Sequence, residues 1–197
     1  CPNVEAYNYD GVEDPVTVRL SDRFNNPVPD GTAVAFKAEG GNIAGSCSTT
    51  TTSSESGVCT VNWISSNPRP ANGRVSLLAT ATGEESFSDV NGDGKFNDPD
   101  SFTDLPEAFR DDNENGVHDG GDLFFFDFNQ DFAYSPGDGQ FNGVLCQDTG
   151  GRCSASDKTG IGAQGLIIMS GSEALVSHTV DDVDDADNVL DVPGTVT

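Results

Sequence analysis

Oxygen-bearing side chains recur at one fixed spacing in three successive stretches of the chain, and this recurrence constrains the fold more than any other feature. Each stretch is a loop of twelve residues with Asp, Asn or Ser at positions 1, 3, 5, 9 and 12. A chain that curls around one ion presents alternate residues inward, so the spacing predicts three cation-binding loops. The first loop has Asp89, Asn91, Asp93, Asn97 and Asp100; the second has Asp111, Asn113, Asn115, Asp119 and Asp122; the third has Asp127, Asn129, Asp131, Ser135 and Asp138.

The ligand type indicates calcium, because Ca²⁺ takes about six to eight hard oxygen ligands. Position 6 favours glycine for a sharp turn, which Gly94 and Gly116 supply and Phe132 does not. The third loop is therefore the weakest match, and we expect two or three Ca²⁺ ions per chain. All three loops end in Asp rather than the usual Glu, which predicts the micromolar to millimolar affinities of extracellular modules. Position 7 supplies a backbone carbonyl, here from Lys95, Val117 and Ala133.

The charge balance restricts the partners. Lys and Arg number 9 against 33 Asp and Glu, for a net charge of −24. Such a chain repels nucleic acid and anionic lipid and attracts divalent cations. No apolar run approaches the ~20 residues of a membrane-spanning helix, so we expect no transmembrane segment.

Period-two alternation and frequent turn residues predict an all-β fold. Val34 and Phe36 share one face of a strand, as do Cys59, Val61 and Trp63. Short strands at regular spacing with turns between them are typical of a β-sandwich. The predicted strands are 16–20, 33–38, 58–64, 74–82, 166–169 and 174–180.

The composition of residues 89–145 predicts a calcium-binding, loop-rich insert. Ten of the twelve Phe lie in 87–141, which indicates a small aromatic core of its own. We expect this insert to be a separable lobe whose unfolding leaves the sheets intact, and we expect His118 at position 8 to point outward. The sandwich then comprises 1–88 and 146–180, and 181–197 is an acidic linker followed by the start of a further strand. The expected core residues are Phe96, Phe102, Phe109, Phe132 and Phe141 with 123–126.

Five cysteines suggest an oxidising compartment. Cys47 with Cys59 and Cys146 with Cys153 are the closest pairs, and each disulfide closes a short polar loop. Cys1 is left over. It is either an excision boundary or an inter-domain bond, or else a lipidated N-terminus that anchors the chain.

Two segments resemble bacterial immunoglobulin-like domains of group 1, the repeated modules of invasin- and intimin-type surface adhesins. They are VTVRLSDRFNNPVPDGTAVAFK (16–37) and GVCTVNWISSNPRPANGRVSLLATATG (57–83). The resemblance covers about 4–88 and, more weakly, 160–180, and it implies an immunoglobulin-like β-sandwich on a bacterial surface. The loop DVNGDGKFNDPD (89–100) is similar to dockerin and thrombospondin-type calcium repeats, which lie outside the common family pattern.

These observations predict a non-catalytic module rather than an enzyme. The Asp residues follow a ligand spacing that a metal already explains, and no nucleophile elbow, P-loop or zinc motif is present. The main hypothesis is a calcium-stabilised structural or adhesive module of a secreted or cell-surface protein or fibre, with neighbouring like domains or subunits as partners. The alternatives are a terminal recognition module for a host protein or glycan, and a filament subunit that assembles by strand donation.

Overall fold

The computed structural model describes residues 2–3, 5–52, 54–172, 174–175 and 195–196. This part of the chain is all-β and has no helix, as predicted, and so none that crosses a membrane. Cys1, the acidic run 181–191 and most of the strands predicted at 174–180 and 192–197 lie outside the described residues. The elements described beyond residue 172 are β13 (Ala174–Leu175) and β14 (Thr195–Val196), which pair with each other.

Two larger sheets organise the described chain. Sheet A has the order β1 (Pro2–Asn3), β12 (Thr159–Met169), β7 (Arg74–Gly83), β3 (Ala33–Ala38), β5 (Ser46–Ser48), and sheet B has the order β2 (Glu13–Arg19), β6 (Val58–Ile64), β4 (Asn42–Ile43). Neighbours pair antiparallel except β1 and β12, which are parallel. Two short antiparallel pairs are formed by the stretch of chain that connects β7 to β12. They are β8 (Phe87–Ser88) with β9 (Ser101–Phe102), and β10 (Phe109–Arg110) with β11 (Phe124–Phe125).

The hydrophobic core lies between the two sheets. Trp63 of sheet B is fully buried and packs with Val75, Ile167 and Met169 of sheet A. Its indole N–H donates to the Gly40 carbonyl at 2.8 Å, which satisfies its one polar group. A second group of buried side chains comprises Val34, Phe36, Cys59 and Val61, which confirms the faces predicted for β3 and β6.

The insert covers the outer face of sheet A. Along β7, Val75 and Leu77 face the core, whereas Ser76, Leu78 and Thr80 alternate with them and are also buried. Successive side chains point to opposite faces of a strand, so both faces of β7 are covered. The insert therefore shares buried surface with the sandwich and differs in this respect from the separable lobe expected from sequence.

Both predicted disulfides are confirmed. The Cys47–Cys59 disulfide joins β5 of sheet A to β6 of sheet B. The Cys146–Cys153 disulfide lies at the end of the insert, where Cys146 and Cys153 form isolated β-bridges with Phe96 and Phe141.

Candidate metal centre

The three predicted loops share one backbone conformation. In each loop, positions 4 and 6 have positive φ angles, in the left-handed region that favours glycine. Phe132 thus makes the sharp turn at position 6 without glycine, and the loop that matches least well in sequence has the same turn as the others. Position 4 is Gly92 (φ 75°), Glu114 (58°) and Gln130 (61°), and position 6 is Gly94 (79°), Gly116 (78°) and Phe132 (65°).

The carboxylate at position 1 organises each turn. The Gly94 N–H donates to Asp89 Oδ2 at 2.7 Å. The Gly116 N–H donates to Asp111 Oδ2 at 2.7 Å, and the Phe132 N–H donates to Asp127 Oδ2 at 3.0 Å. In all three loops the first residue therefore accepts the peptide N–H of the sixth, which closes the loop.

In the first loop, the side chains at positions 3, 5 and 9 converge. Asn97 donates its amide N–H to Asp93 Oδ2 at 2.8 Å, and Asn91 donates to Asn97 Oδ1 at 2.8 Å. The bond from Asn97 is the main reason that the pKa of Asp93 lies below its usual value. A lower pKa favours the ionised carboxylate, which is the form of Asp that binds metal ions.

The second and third loops repeat this arrangement. Asn113 and Asn115 donate their amide N–H groups to Asp119, at 3.1 Å to Oδ1 and 2.7 Å to Oδ2. The Gly121 N–H, and then these amides, lower the pKa of Asp119. In the third loop, the Asn129 amide donates to Asp131 Oδ2 at 3.1 Å and to Ser135 Oγ at 3.0 Å.

The backbone of the residue at position 7 makes the same hydrogen bond in each loop: its peptide N–H donates to the side chain at position 5. The distances are 2.9 Å from Lys95 N to Asp93 Oδ1, 2.7 Å from Val117 N to Asn115 Oδ1 and 2.8 Å from Ala133 N to Asp131 Oδ1.

The carboxylate at position 12 bridges two peptide N–H groups in the first two loops. Asp100 accepts the N–H groups of positions 2 and 9, at 2.8 and 3.0 Å. Asp122 accepts the corresponding N–H groups of the second loop, both at 2.9 Å. Asp100 and Asp122 are 3% and 8% exposed, so these carboxylates form the buried base of each loop.

In the third loop, the buried carboxylate that accepts the N–H groups of positions 2 and 9 is Glu107. The ligand spacing did not predict this residue. The Phe128 N–H at position 2 donates to Glu107 Oε1 at 2.9 Å, and the Ser135 N–H at position 9 donates to Oε2 at 3.0 Å. Glu107 is 9% exposed, like its counterparts. Asp138, the predicted residue at position 12, instead accepts the Gln140 N–H at 2.8 Å. The structure therefore brings Glu107, rather than Asp138, to the base of the third loop.

Two aromatic clusters lie behind the loops, where sequence predicted one. Phe96, at position 8 of the first loop, is fully buried and lies 4.6 Å from Phe141 between ring centroids. His118 and Tyr134, at position 8 of the second and third loops, stack at 3.7 Å and join these two loops. The expected outward orientation of His118 is therefore wrong. Phe132 is 91% exposed and belongs to neither cluster, because its position 6 is the outer tip of the turn.

The ligand positions fit a hard cation in chemical type. Each loop combines carboxylates with Asn amides, and both groups offer oxygen atoms of the kind that Ca²⁺ binds. In the described part of the chain, no three carboxylate, imidazole or thiol groups by themselves form a cluster able to hold a metal.

Comparison of the chain with protein-family models, with curated proteins and with solved structures found no match. The resemblance to bacterial immunoglobulin-like domains thus stays a prediction from sequence.

Proposed function

We propose that the chain is a non-catalytic, calcium-stabilised structural or adhesive module of a bacterial surface protein or extracellular fibre. In this proposal the three loops bind Ca²⁺ through the side chains at positions 1, 3, 5 and 9 and the carbonyl at position 7. Asp100, Asp122 and Glu107 supply the carboxylate at the base of the loops. The role of the metal is structural, because bound cations neutralise carboxylates that otherwise repel one another across the insert.

The observation that carries this proposal is the threefold repetition of one local structure. In every loop, positions 4 and 6 have left-handed backbone conformations, and the carboxylate at position 1 accepts the N–H of position 6. In every loop, a buried carboxylate also accepts the N–H groups of positions 2 and 9. The third loop preserves this pattern even though its base carboxylate comes from elsewhere in the chain. Sequence spacing alone does not require such agreement.

The strand order supports the immunoglobulin-like part of the proposal. Sheet B, with β2, β6 and β4, has the arrangement of strands B, E and D of that fold. The strands β12, β7 and β3 of sheet A have the arrangement of G, F and C. The two disulfides support an extracellular location, since disulfides persist in oxidising compartments.

Calcium titration tests the proposal. We expect two or three Ca²⁺ per chain by elemental analysis after equilibrium dialysis, and a melting temperature that rises by more than about 5 °C on replacing EGTA with calcium. Magnesium at the same concentration serves as the control, because it requires a smaller octahedral site. An unchanged melting temperature together with fewer than one bound calcium per chain rules the proposal out.

An apolar groove beside a free strand edge favours a second candidate function. In this function the chain recognises a partner, or assembles with copies of itself, by adding a strand to a sheet. An apolar groove of about 650 Å³ lies between the β2 end of sheet B and the β12 side of sheet A, with Val18, Leu20 and Ile161 among its lining residues. In the described residues, β2 has a partner on one side only, so its free edge is able to pair with an extended segment. Light scattering across a concentration series tests assembly by strand donation, which predicts concentration-dependent association of the chain. A mass that stays that of a monomer at every concentration rules this form of assembly out.

A further inference from the structure

The second loop lies on the outer face of sheet A. Ser76, Leu78 and Thr80 on this face of β7 are 5%, 1% and 7% exposed. The insert covers them closely. A methyl group added to Gly162 of β12 would lie 2.4 Å from Cβ of Ala108 and 3.3 Å from Cδ1 of Leu78, so glycine is needed where the insert meets the sheet.

Four polar contacts hold the second loop and the residues just before it to three strands of sheet A. Ser76 Oγ donates to the Asp111 carbonyl at 2.7 Å, and this bond is buried. Arg110 Nη1 donates to the Ala38 carbonyl at 2.8 Å. We call these contacts the clasp; its other two members are the bond from Gln164 Nε2 to the Phe109 carbonyl at 3.0 Å and the ion pair of Arg74 with Glu114.

Asp111 belongs to both the loop and the clasp. Its carboxylate accepts the Gly116 N–H and occupies the first ligand position, while its carbonyl accepts the Ser76 hydroxyl. Any change in the ordering of the second loop therefore acts directly on a buried hydrogen bond to β7.

The first loop has different neighbours. Phe96 exchanges backbone hydrogen bonds with Leu145 and Gln147, and Arg152 donates to the Asp100 carbonyl at 2.9 Å. Within the described residues, no hydrogen bond joins this loop to a strand of sheet A or sheet B. The first loop is thus held by the disulfide-bearing end of the insert rather than by the sandwich.

We propose that calcium in the second loop, and not calcium in the first, controls the stability of the sandwich through the clasp. This inference rests on the proposed calcium binding and adds the route by which the ion acts. Binding energies are reciprocal: if calcium stabilises the clasped form, loss of the clasp reduces the stabilisation that calcium gives to the sheets. The device makes the rigidity of the sandwich depend on extracellular calcium.

Trp63 is a reporter suited to the test. It is the only Trp of the chain, is fully buried in the core between the sheets and lies on sheet B, the sheet that the insert does not cover. Its fluorescence during thermal unfolding follows the sandwich and not the loops. We expect calcium to raise the Trp63 midpoint of the full chain by about 5–10 °C relative to EGTA.

Matched loop variants locate the effect. Asp89→Asn and Asp111→Asn each change position 1, and both residues accept the N–H of position 6 at 2.7 Å. We expect Asp89→Asn to retain most of the calcium-induced shift and Asp111→Asn to lose most of it. Equal shifts in the two variants overturn the proposal.

Clasp variants test the route without changing a ligand. Ser76→Ala removes the hydroxyl that donates to Asp111, and Ser65→Ala is its control, because Ser65 is also buried and donates to the Tyr9 carbonyl at 2.7 Å away from the insert. Both variants lower the midpoint in EGTA, but only Ser76→Ala is expected to halve the calcium-induced shift while calorimetry still detects bound calcium. If Ser76→Ala keeps the whole calcium-induced rise of the Trp63 midpoint, the proposal that calcium acts through the clasp is wrong. If the unaltered chain binds no calcium, the proposed function itself is wrong.

Discussion

Glu107→Gln is expected to remove one calcium per chain and to lower the melting temperature in calcium by about 5–10 °C. Glu107 is a buried carboxylate whose two oxygens accept the Phe128 and Ser135 N–H groups. Glutamine keeps one acceptor and turns an NH₂ group towards the other donor, so a buried N–H loses its partner at a cost of about 1–3 kcal/mol. The loss of negative charge also weakens the third site. Together these effects amount to about 2–3 kcal/mol, and a domain of this size shifts by about 2–4 °C per kcal/mol.

Asp138→Asn is the matched control, since Asp138 is the carboxylate that stands at position 12 of the third loop in sequence. Its observed bond is to the neighbouring Gln140 N–H, so the substitution should leave the calcium count unchanged. Elemental analysis and differential scanning calorimetry measure both variants. The opposite result is loss of calcium from Asp138→Asn and retention of calcium by Glu107→Gln. It would mean that Asp138, at position 12 of the third loop, and not Glu107 is the carboxylate that the third calcium site needs.

The contrast between Asp138 and Glu107 shows where sequence spacing fails. The spacing of residues within one loop is local, and the structure brings the side chains at positions 3, 5 and 9 of each loop together. The base carboxylate only has to reach two peptide N–H groups, and a residue from another segment does so equally well. Nothing local to Glu107 marks it, because its partners, Phe128 and Ser135, are brought to it by tertiary structure.

Strands with one buried and one exposed face could be predicted from the alternation of apolar and polar residues. β3 and β6 have the predicted bounds because their apolar residues alternate with polar ones. The first half of β12 was missed, since Gly160, Gly162 and Gly165 leave no alternation to recognise. Glycine is needed at Gly160 and Gly162 because the insert approaches the strand closely, a requirement that involves a distant segment.

The covered outer face of β7 did leave a signal in the sequence. Leu77 and Leu78 are adjacent, so they point to opposite faces of the strand, and both are buried. A strand with large apolar residues on both faces is typical of a sheet covered on both sides. Applied to 74–82, this pattern argues against an insert that stands apart from the sandwich.

Loss of the disulfide between the sheets is the other large expected effect. The Cys47–Cys59 disulfide closes a loop of 12 residues and links sheet A to sheet B. Its removal in the Cys47→Ser/Cys59→Ser double variant restores freedom to the unfolded chain and is expected to cost about 3 kcal/mol. The Trp63 unfolding midpoint should therefore fall by about 6–12 °C, and by the same amount in calcium and in EGTA, because both cysteines pack with Val34 and Phe36 in the core between the sheets.

The Cys146→Ser/Cys153→Ser variant is the matched comparison. This disulfide spans 7 residues, and the chain entropy it removes is close to that of the other, about 2–2.5 kcal/mol. Its place in the structure differs, because it fixes the segment that pairs with Phe96 behind the first loop. The expected loss is therefore one of calcium affinity at the first loop, measured by calorimetry, beside a fall of the Trp63 midpoint of about 4–10 °C that is the same in calcium and in EGTA. Should the Cys146→Ser/Cys153→Ser variant lose the calcium-induced rise of the Trp63 midpoint, the first loop is coupled to the sheets as strongly as the second, and the difference between the loops argued from the clasp does not hold.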